Sequence, residues 1–276
     1  MLDVSELLVR ELCDDELGRW SMFVRDRHPA LAGFVGSYQG YTQHALAPGR
    51  HATFVTHMFP LVISLEGANS IVAAGGESTV VDSFLAGFHL RPVTVEAAAF
   101  RGVQIDLTPL GAFALLRGGV GDLTDRTAPL DAVLGRRARE LVERVGNATS
   151  WADRLEQTEA LLRVWTDEAP TPSREVIEAW DAIVASGGQR SIQEVASVVG
   201  WSRHHLGRQM RRQLGVSPKR LARVVRFQNA LKLVMSRRVP LAEVALRAGY
   251  FDQAHMNSDF QEFAGRSPGS FVPRVA

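Results

Sequence analysis

The stretch GYFDQAHMNSDF, residues 249–260, combines helix-like spacing of apolar residues with a run of polar side chains. Met256 and Phe260 stand four apart, as on one face of a helix, and Asp252 precedes them at a position typical of an N-cap. The polar residues between them would then face solvent. Hydrogen-bonding groups on an exposed helix suit the reading of base edges in DNA, although one such face alone is more often simply solvated.

The same pattern occurs twice in the chain. EVASVVGW at 194–201 aligns with EVALRAGY at 243–250, and LGRQMRRQLGVSP at 206–218 aligns with MNSDFQEFAGRSP at 256–268. Each copy predicts a short helix, a turn made of a glycine and an aromatic residue, a polar cap, and a longer helix that ends at a glycine. This is the layout of a helix-turn-helix, and its duplication favours DNA binding over an ordinary solvated face.

The segment between the copies, KRLARVVRFQNALKLVMSRR, predicts a single long helix. A helix of about 19 residues is about 28 Å long. Two helices that read successive major grooves on one face of DNA must be about 34 Å apart. One connecting helix would therefore hold both readers within one monomer.

Charge divides the chain into two parts. Residues 171–276 hold 16 lysines and arginines against 8 aspartates and glutamates, whereas residues 1–170 hold 15 against 22. The basic part indicates a polyanionic partner for the C-terminal region only. The boundary lies in the proline-containing stretch DEAPTPS, because prolines two apart cannot continue a helix. We predict domains at 1–168 and 174–276, joined by a linker at 169–173.

The N-terminal part predicts a β-rich domain with flanking helices. Short β-branched and aromatic runs broken by glycine and proline extend from about residue 34 to residue 107, and helix-periodic runs follow at about 109–118 and 130–168. The helices of 130–168 would pack either on a second protomer or on their own sheet. The overall expectation is an α+β chain: a cupin-like N-terminal domain, then an all-α domain of two helix-turn-helix motifs joined by a long helix.

The first residues, MLDVSELLVRELCDDELG, are amphipathic and acidic. They predict an N-terminal helix that holds Cys13, rather than a signal peptide or a membrane anchor. A single cysteine excludes an internal disulfide framework, so the reducing cytoplasm is the expected compartment. The chain also has no uninterrupted apolar run of membrane-spanning length.

No catalytic or metal motif emerges from the N-terminal part. His44, His51, His57 and His89 lie in or beside the predicted strands, without the paired histidines and downstream glutamate of a cupin metal site. Surface or hydrogen-bonded histidines are the expected alternative. We therefore predict neither a cofactor nor a metal, and no enzyme activity.

The stretch ALRAGYFDQAHMNSDFQEFAGRSPGSF resembles the signature of the AraC/XylS family of bacterial transcription regulators, and the resemblance covers roughly residues 173–273. It implies an N-terminal domain that senses a small molecule or dimerises. The family's base-reading positions fall, residue by residue, on His204, Gly207, Arg208, Gln253, Ala254, His255 and Ser258. Of these, Gly207 lacks a side chain and Ser258 stands where many relatives have a basic residue, so Arg208 is the strongest candidate.

Several partners follow from the resemblance. Double-stranded DNA is the main one, and the candidates for phosphate contact are the basic residues Arg203, Arg211, Arg212 and Arg220. A small-molecule effector, a second copy of the chain and RNA polymerase are further candidates, and no membrane partner is expected. The expected function is a sequence-specific transcription regulator. The alternatives are a regulator controlled by a protein partner without any small ligand, and a cupin-like enzyme with a basic helical appendage.

Overall fold

The computed structural model describes residues 8–14, 18–43, 49–66, 68–72, 76–97, 100–167, 169–236 and 239–272. The chain divides into two compact units. The sheet unit comprises residues 1–52, 58–87 and 93–171, and the helical unit comprises residues 53–57, 88–92 and 172–276. His44 and the ends of the chain lie outside the described residues. Within the described part, no helix is both long and apolar enough to cross a membrane.

The sheet unit contains two antiparallel sheets. The first has seven strands in the order β1-β2-β3-β10-β5-β8-β11, and the second has four in the order β4-β9-β6-β7. The strands span Leu8–Asp14, Gly18–Val24, Val35–Gln43, Gly49–Ala52, Phe59–Ser64, Asn69–Val72, Ser78–Val81, Phe84–Ala86, Thr94–Ala97, Arg101–Leu107 and Thr127–Pro129, β1 to β11 in chain order. The predicted α+β class is confirmed.

Apolar side chains from the two sheets share one core. Val62 of β5 and Phe84 of β8 cluster with Ile71 and Val81 of the second sheet, and Val95 of β9 packs against them. Each of the four clustered side chains is almost fully buried. The apolar residues of these short strands fill this core, in agreement with the β-branched and aromatic runs that the sequence predicted as strands.

Four helices complete the sheet unit: α1 (Pro109–Leu116), α2 (Leu130–Leu134), α3 (Arg136–Asn147) and α4 (Trp151–Asp167). The first of the two helix-periodic runs predicted at 130–168 is divided into α2 and α3 at Gly135, which has a positive φ of 56°.

Helix α4 packs on its own sheet rather than leaving its apolar face free. A side-chain carbon at Gly40 of β3 would lie 2.3 Å from the Trp151 ring, so this close approach requires glycine. The Tyr38 hydroxyl donates a hydrogen bond to Glu159 of α4, and burial raises the pKa of Tyr38. Of the two alternatives for this helix, the structure shows packing on the sheet of the same chain.

The N-terminal segment corrects a prediction. Residues Leu8–Asp14, which include Cys13, form strand β1 and pair with β2 from Leu8↔Val24 to Asp14↔Gly18. The helix expected there is wrong. A strand that adds to an existing sheet edge satisfies its backbone hydrogen bonds through its neighbour, and this tertiary pairing outweighs a short helix-like pattern.

The helical unit consists of α5 (Arg174–Ala185), α6 (Ile192–Val198), α7 (Arg203–Leu214), α8 (Pro218–Met235), α9 (Leu241–Arg247) and α10 (Gln253–Ala264). Ser191 and Glu194 form a capping box at the start of α6. The predicted long connecting helix is α8, with 18 residues. Its length of about 27 Å agrees with the sequence estimate.

Candidate DNA-binding interface

The two reader helices, α7 and α10, are built in the same way. Each follows a turn whose glycine has a positive φ, 69° at Gly200 and 85° at Gly249. Each ends at a left-handed glycine, Gly215 or Gly265. The repeat that the sequence predicted is therefore a structural repeat with the same local signals.

The N-caps of the two readers are also equivalent. Ser202 Oγ accepts a hydrogen bond from the His205 amide at 3.2 Å, and Asp252 Oδ1 accepts one from the His255 amide at 2.7 Å. Both caps fix the third residue of the helix, and they satisfy amides that would otherwise lack a partner.

The buried faces of the readers follow the helical spacing of their apolar residues, as predicted for Met256 and Phe260. Leu206, Met210 and Leu214 of α7 are at most 2% exposed, and Met256, Phe260 and Phe263 of α10 are fully buried. Burial of these six side chains leaves one face of each reader directed to solvent. The exposed residues include most of the predicted base-reading and phosphate candidates: Arg203, His204, Arg208, Arg211, Arg212, Gln253, Ala254, His255 and Ser258.

Arg208 is held in place by a histidine that the sequence analysis did not select. Its Nη2 atom lies 3.0 Å from Nδ1 of His205, whose ring packs edge-on against Trp201 with centroids 4.6 Å apart. A guanidinium group only donates hydrogen bonds, so Nδ1 of His205 is the acceptor in this contact. His205 therefore orients the strongest candidate for base reading.

The second reader has a histidine at the equivalent position. His255 occupies the third helix position of α10, as His205 does in α7, and packs edge-on against Tyr250 with centroids 5.1 Å apart. An alignment of the two copies at an offset of 50 pairs His205 with His255. That alignment was the sequence signal by which His205 could have been found.

Gly207 requires a correction. The resemblance placed it among the base-reading positions, but the structure buries it. The Arg211 side chain lies across it, with Nη1 3.4 Å from the Gly207 carbonyl oxygen and 3.6 Å from where a side-chain carbon would stand. Because Arg211 covers this position, we leave Gly207 out of the proposed interface.

Arg220 requires a second correction. Its side chain is only 17% exposed and forms an ion pair with Glu262 of α10. It also donates to the backbone carbonyl of Leu90 and lies 4.5 Å from the centre of the Phe263 ring. These contacts hold α8 against α10. The guanidinium group is therefore committed within the helical unit and is not turned to a phosphate.

A buried ion pair beside Arg220 fixes the second reader to α8. Asp259 is 1% exposed, and its Oδ1 accepts from Nε of Arg223 at 3.1 Å and from Nη2 at 2.5 Å. Arg223 also pairs with Glu262. Sequence analysis missed this cluster, since a charged residue on a helix is usually assigned to the solvent face.

The arginines of this cluster change the pKa of the Glu262 carboxylate. Burial alone would raise its pKa, but the hydrogen bonds and charges of Arg220 and Arg223 outweigh burial and lower the pKa below its ordinary value of 4.5. A carboxylate with a lowered pKa in the folded state stabilises the fold above its unfolded pKa. This contribution is lost as the pH falls through the folded value.

We therefore expect acid to weaken the attachment of α10 in the wild type more than in a variant that has no ionisable group at position 262. Between about pH 6 and about pH 3, the melting temperature of the wild type should fall more steeply than that of Glu262→Gln. Thermal melts across this range measure the difference, and the matched control is Glu243→Gln, which removes a carboxylate from a more exposed ion pair with Arg247 on α9. Parallel curves for wild type and Glu262→Gln would contradict the expectation.

The two readers differ in charge. Helix α7 carries Arg203, Arg208, Arg211 and Arg212 and no acidic residue, whereas α10, residues 253–264, contains no lysine or arginine and two acidic residues. Attraction to phosphates supplies most of the salt-dependent affinity for DNA. The first reader is therefore the electrostatically stronger one.

The described part of the chain holds no candidate metal site that competes with this interface. Among the described residues, no three histidine, cysteine, aspartate or glutamate side chains come together as a metal cluster. His57 instead lies against Trp180 within the helical unit, with ring centroids 6.0 Å apart. This contact agrees with the interpretation of that histidine as a packed, hydrogen-bonded residue.

Comparison with known proteins identifies the helical part of the chain. Residues 179–274 match the family model described as a helix-turn-helix domain. These residues form an AraC-type helix-turn-helix domain. The matched range includes both readers and α8, so the AraC-type domain comprises the full repeat.

The relatives of this domain are transcription regulators. The uncharacterised HTH-type transcriptional regulator YbfI of Bacillus subtilis is 28% identical over 108 residues, which are 37% of this chain and 39% of YbfI. The similarity therefore spans well under half the length of that protein. The C-terminal domain of AraT, a response regulator from Geobacillus stearothermophilus, is 27% identical over 38% of this chain and 90% of that domain, with a TM-score of 0.36.

A solved structure also resembles the chain as a whole. The crystal structure of an apo ToxT variant from Vibrio cholerae covers 90% of this chain and 98% of its own, with a TM-score of 0.51 and 12% identity. At this identity the likeness concerns the fold alone. The likeness agrees with a sheet-containing N-terminal region followed by a helical domain.

Proposed function

We propose that this chain is a sequence-specific transcription regulator whose two reader helices bind two short blocks of one DNA site. The observation that carries the proposal is the repeated reader, with the same cap, the same buried face and the same histidine on an aromatic residue. An exposed face of hydrogen-bonding side chains, presented twice on a rigid helical frame, suits readout in the major groove.

The proposed contacts separate into two kinds. Arg208, with His204, Gln253, Ala254, His255 and Ser258, would meet base edges, and Arg203, Arg211 and Arg212 would contact phosphates. Arg208 would donate two hydrogen bonds to guanine, the commonest specific contact of arginine. The phosphate contacts would supply affinity without sequence choice.

We assign control of this DNA binding to the sheet unit. It would bind a small effector or a second copy of the chain, and either partner must bind two states differently to change DNA affinity. RNA polymerase is the proposed target of the DNA-bound form, and the cytoplasm is the proposed compartment. No catalytic role is assigned. A rise in melting temperature on addition of a small molecule would separate effector control from control by a protein partner alone.

The test of DNA reading is a selection from a randomised duplex pool with purified full-length protein at near-physiological salt. We expect a site with two short blocks whose centres lie about one helical turn apart. Recovery of no preferred sequence, together with binding that disappears as salt rises, would overturn the proposal. The helical domain would then bind DNA phosphates without sequence specificity.

The weakness of the second reader leads to a prediction of gained affinity. Ser258 is exposed and lies six residues after its N-cap, as Arg208 does in the first reader. Ser258→Arg should tighten binding, make the slope of log K against log salt steeper by about one unit, and add discrimination at one base pair of the second block. Fluorescence anisotropy at several salt concentrations, on DNA with each base changed in turn, measures all three.

Gln261→Arg is the matched control, because it adds the same charge at the position that corresponds to Arg211. It should change affinity and salt slope without changing base preference. If both variants alter base preference equally, position 258 does not read bases.

A further inference from the structure

Phe251 is the most exposed large apolar side chain among the described residues. It is 87% exposed, compared with 3% for its neighbour Tyr250. Exposed apolar residues are common on protein surfaces and need no explanation when they are scattered singly. Phe251 differs because of its place: it directly precedes Asp252, the N-cap of the second reader.

The two copies of the motif differ in length at this residue. In the first copy, Trp201 is followed directly by the N-cap Ser202, whereas in the second Phe251 stands between Tyr250 and the N-cap Asp252. Tyr250 fills the core position of the turn and contacts His255. Phe251 is therefore an additional residue that the core of the motif does not use.

A local packing role for Phe251 is also excluded. An apolar residue before an N-cap often packs against the fourth residue of the helix, which here is Met256. Met256 is fully buried while Phe251 is 87% exposed, so this contact does not cover the ring. The ring remains in solvent at the end of α10 where Gln253 and His255 are exposed.

This position is adjacent to the groups that we propose to read DNA. Asp252, Gln253, Ala254 and His255 follow Phe251 and are all exposed, and three of them are polar. The ring thus stands at the margin of a polar reading surface. In a major groove, the apolar group that a base presents is the 5-methyl of thymine, and phenylalanine is among the side chains that contact it.

We propose that Phe251 contacts the 5-methyl group of a thymine at the edge of the DNA block bound by the second reader. This inference rests on the proposed function. Because α10 has no cationic side chain, the contact gives the second reader a source of selectivity that does not depend on charge. It adds a specificity-determining residue to the turn, outside the helix positions to which the family resemblance pointed.

The test replaces each thymine of the second block of the selected site by deoxyuridine, one at a time, which removes only the methyl group. We expect the full-length wild type to lose about fourfold in affinity at one position, as for burial of one methyl-sized group. Phe251→Ala should bind the thymine site more weakly by at least the same factor. It should show no further loss when that thymine is replaced by deoxyuridine.

Leu246→Ala is the matched control, because Leu246 is an exposed apolar residue, 66% exposed, on α9 of the same motif. It should leave the deoxyuridine penalty unchanged. Melting curves of both variants should match the wild type, since neither side chain is buried. Phe251→Leu should keep part of the penalty, as a smaller apolar side chain still reaches the methyl group.

Two outcomes would overturn the inference while leaving the proposed function intact. In one, a sequence is selected but no thymine in the second block responds to deoxyuridine. In the other, the penalty persists in full in Phe251→Ala, so the two changes are additive. A wild type that selects no sequence would instead reject the proposed function itself. Unchanged DNA affinity of Phe251→Ala with lost transcription activation would assign the ring to a protein partner and also overturn the inference.

Discussion

Arg223→Met is expected to lower the free energy of unfolding by roughly 3–5 kcal/mol, because it leaves the buried carboxylate of Asp259 without its partner. Asp259 is 1% exposed, whereas Arg223 keeps 27% of its side chain in solvent, so the loss of the arginine costs more than the loss of the aspartate. The effect should concentrate in α10. Hydrogen exchange of the 253–264 peptides, together with denaturant unfolding of the full chain, measures both the size and the place of the loss.

Two further variants make this prediction specific. Lys232→Met removes an exposed cation from the same helix and should change stability by less than about 0.5 kcal/mol. Adding Asp259→Asn to Arg223→Met should recover part of the lost stability, since the buried charge is removed as well. Equal stability of Arg223→Met and Lys232→Met would show that the ion pair does not hold the second reader.

Arg208→Ala is expected to cost roughly 1–3 kcal/mol of discrimination at one base pair of the first block, equal to a loss of about 5- to 150-fold in selectivity. The side chain is exposed, oriented by His205 and not involved in any ion pair of the described residues. Its removal should leave the melting temperature unchanged. Binding to a set of sites with that base pair varied, at constant salt, gives the discrimination directly.

Arg212→Ala is the control for charge alone, because Arg212 is also exposed on α7 but lies nearer its C-terminal end. It should weaken binding to all sequences about equally and reduce the salt slope by about one unit. If Arg208→Ala behaves in the same way as Arg212→Ala, Arg208 contacts a phosphate rather than a base, and the first block is read by other residues.

The reader helices were predictable from sequence because their signals are local. Ser202 and Asp252 cap the helices, Gly215 and Gly265 end them, and apolar residues three or four apart define the buried face. These signals act within a few residues of chain, so they need no knowledge of distant segments. Their repetition in the same order, 49 residues apart in the first helix and 50 in the second, predicts a double motif from the sequence alone.

Strand β1 shows where local signals fail. Its apolar residues fit a short helix as well as a strand, and only pairing with β2 decides between them. The periodicity of a seven-residue segment is too short to separate the two alternatives. The neighbouring strand β2 supplies backbone hydrogen-bond partners to alternate residues of β1, which a sequence pattern alone does not reveal.

The roles of individual charged side chains, like the conformation of β1, depend on neighbours from other parts of the chain. By itself the sequence determined the repeat, the limits of its helices, the buried faces and the basic character of the C-terminal part. Only the tertiary structure decided which charged residues turn inward: Arg220 and Arg223 pair with acidic residues of α10. The physical reason is that helix periodicity fixes only the direction in which a side chain leaves the helix. Whether an arginine then stays in solvent or pairs with a carboxylate depends on residues from another part of the chain.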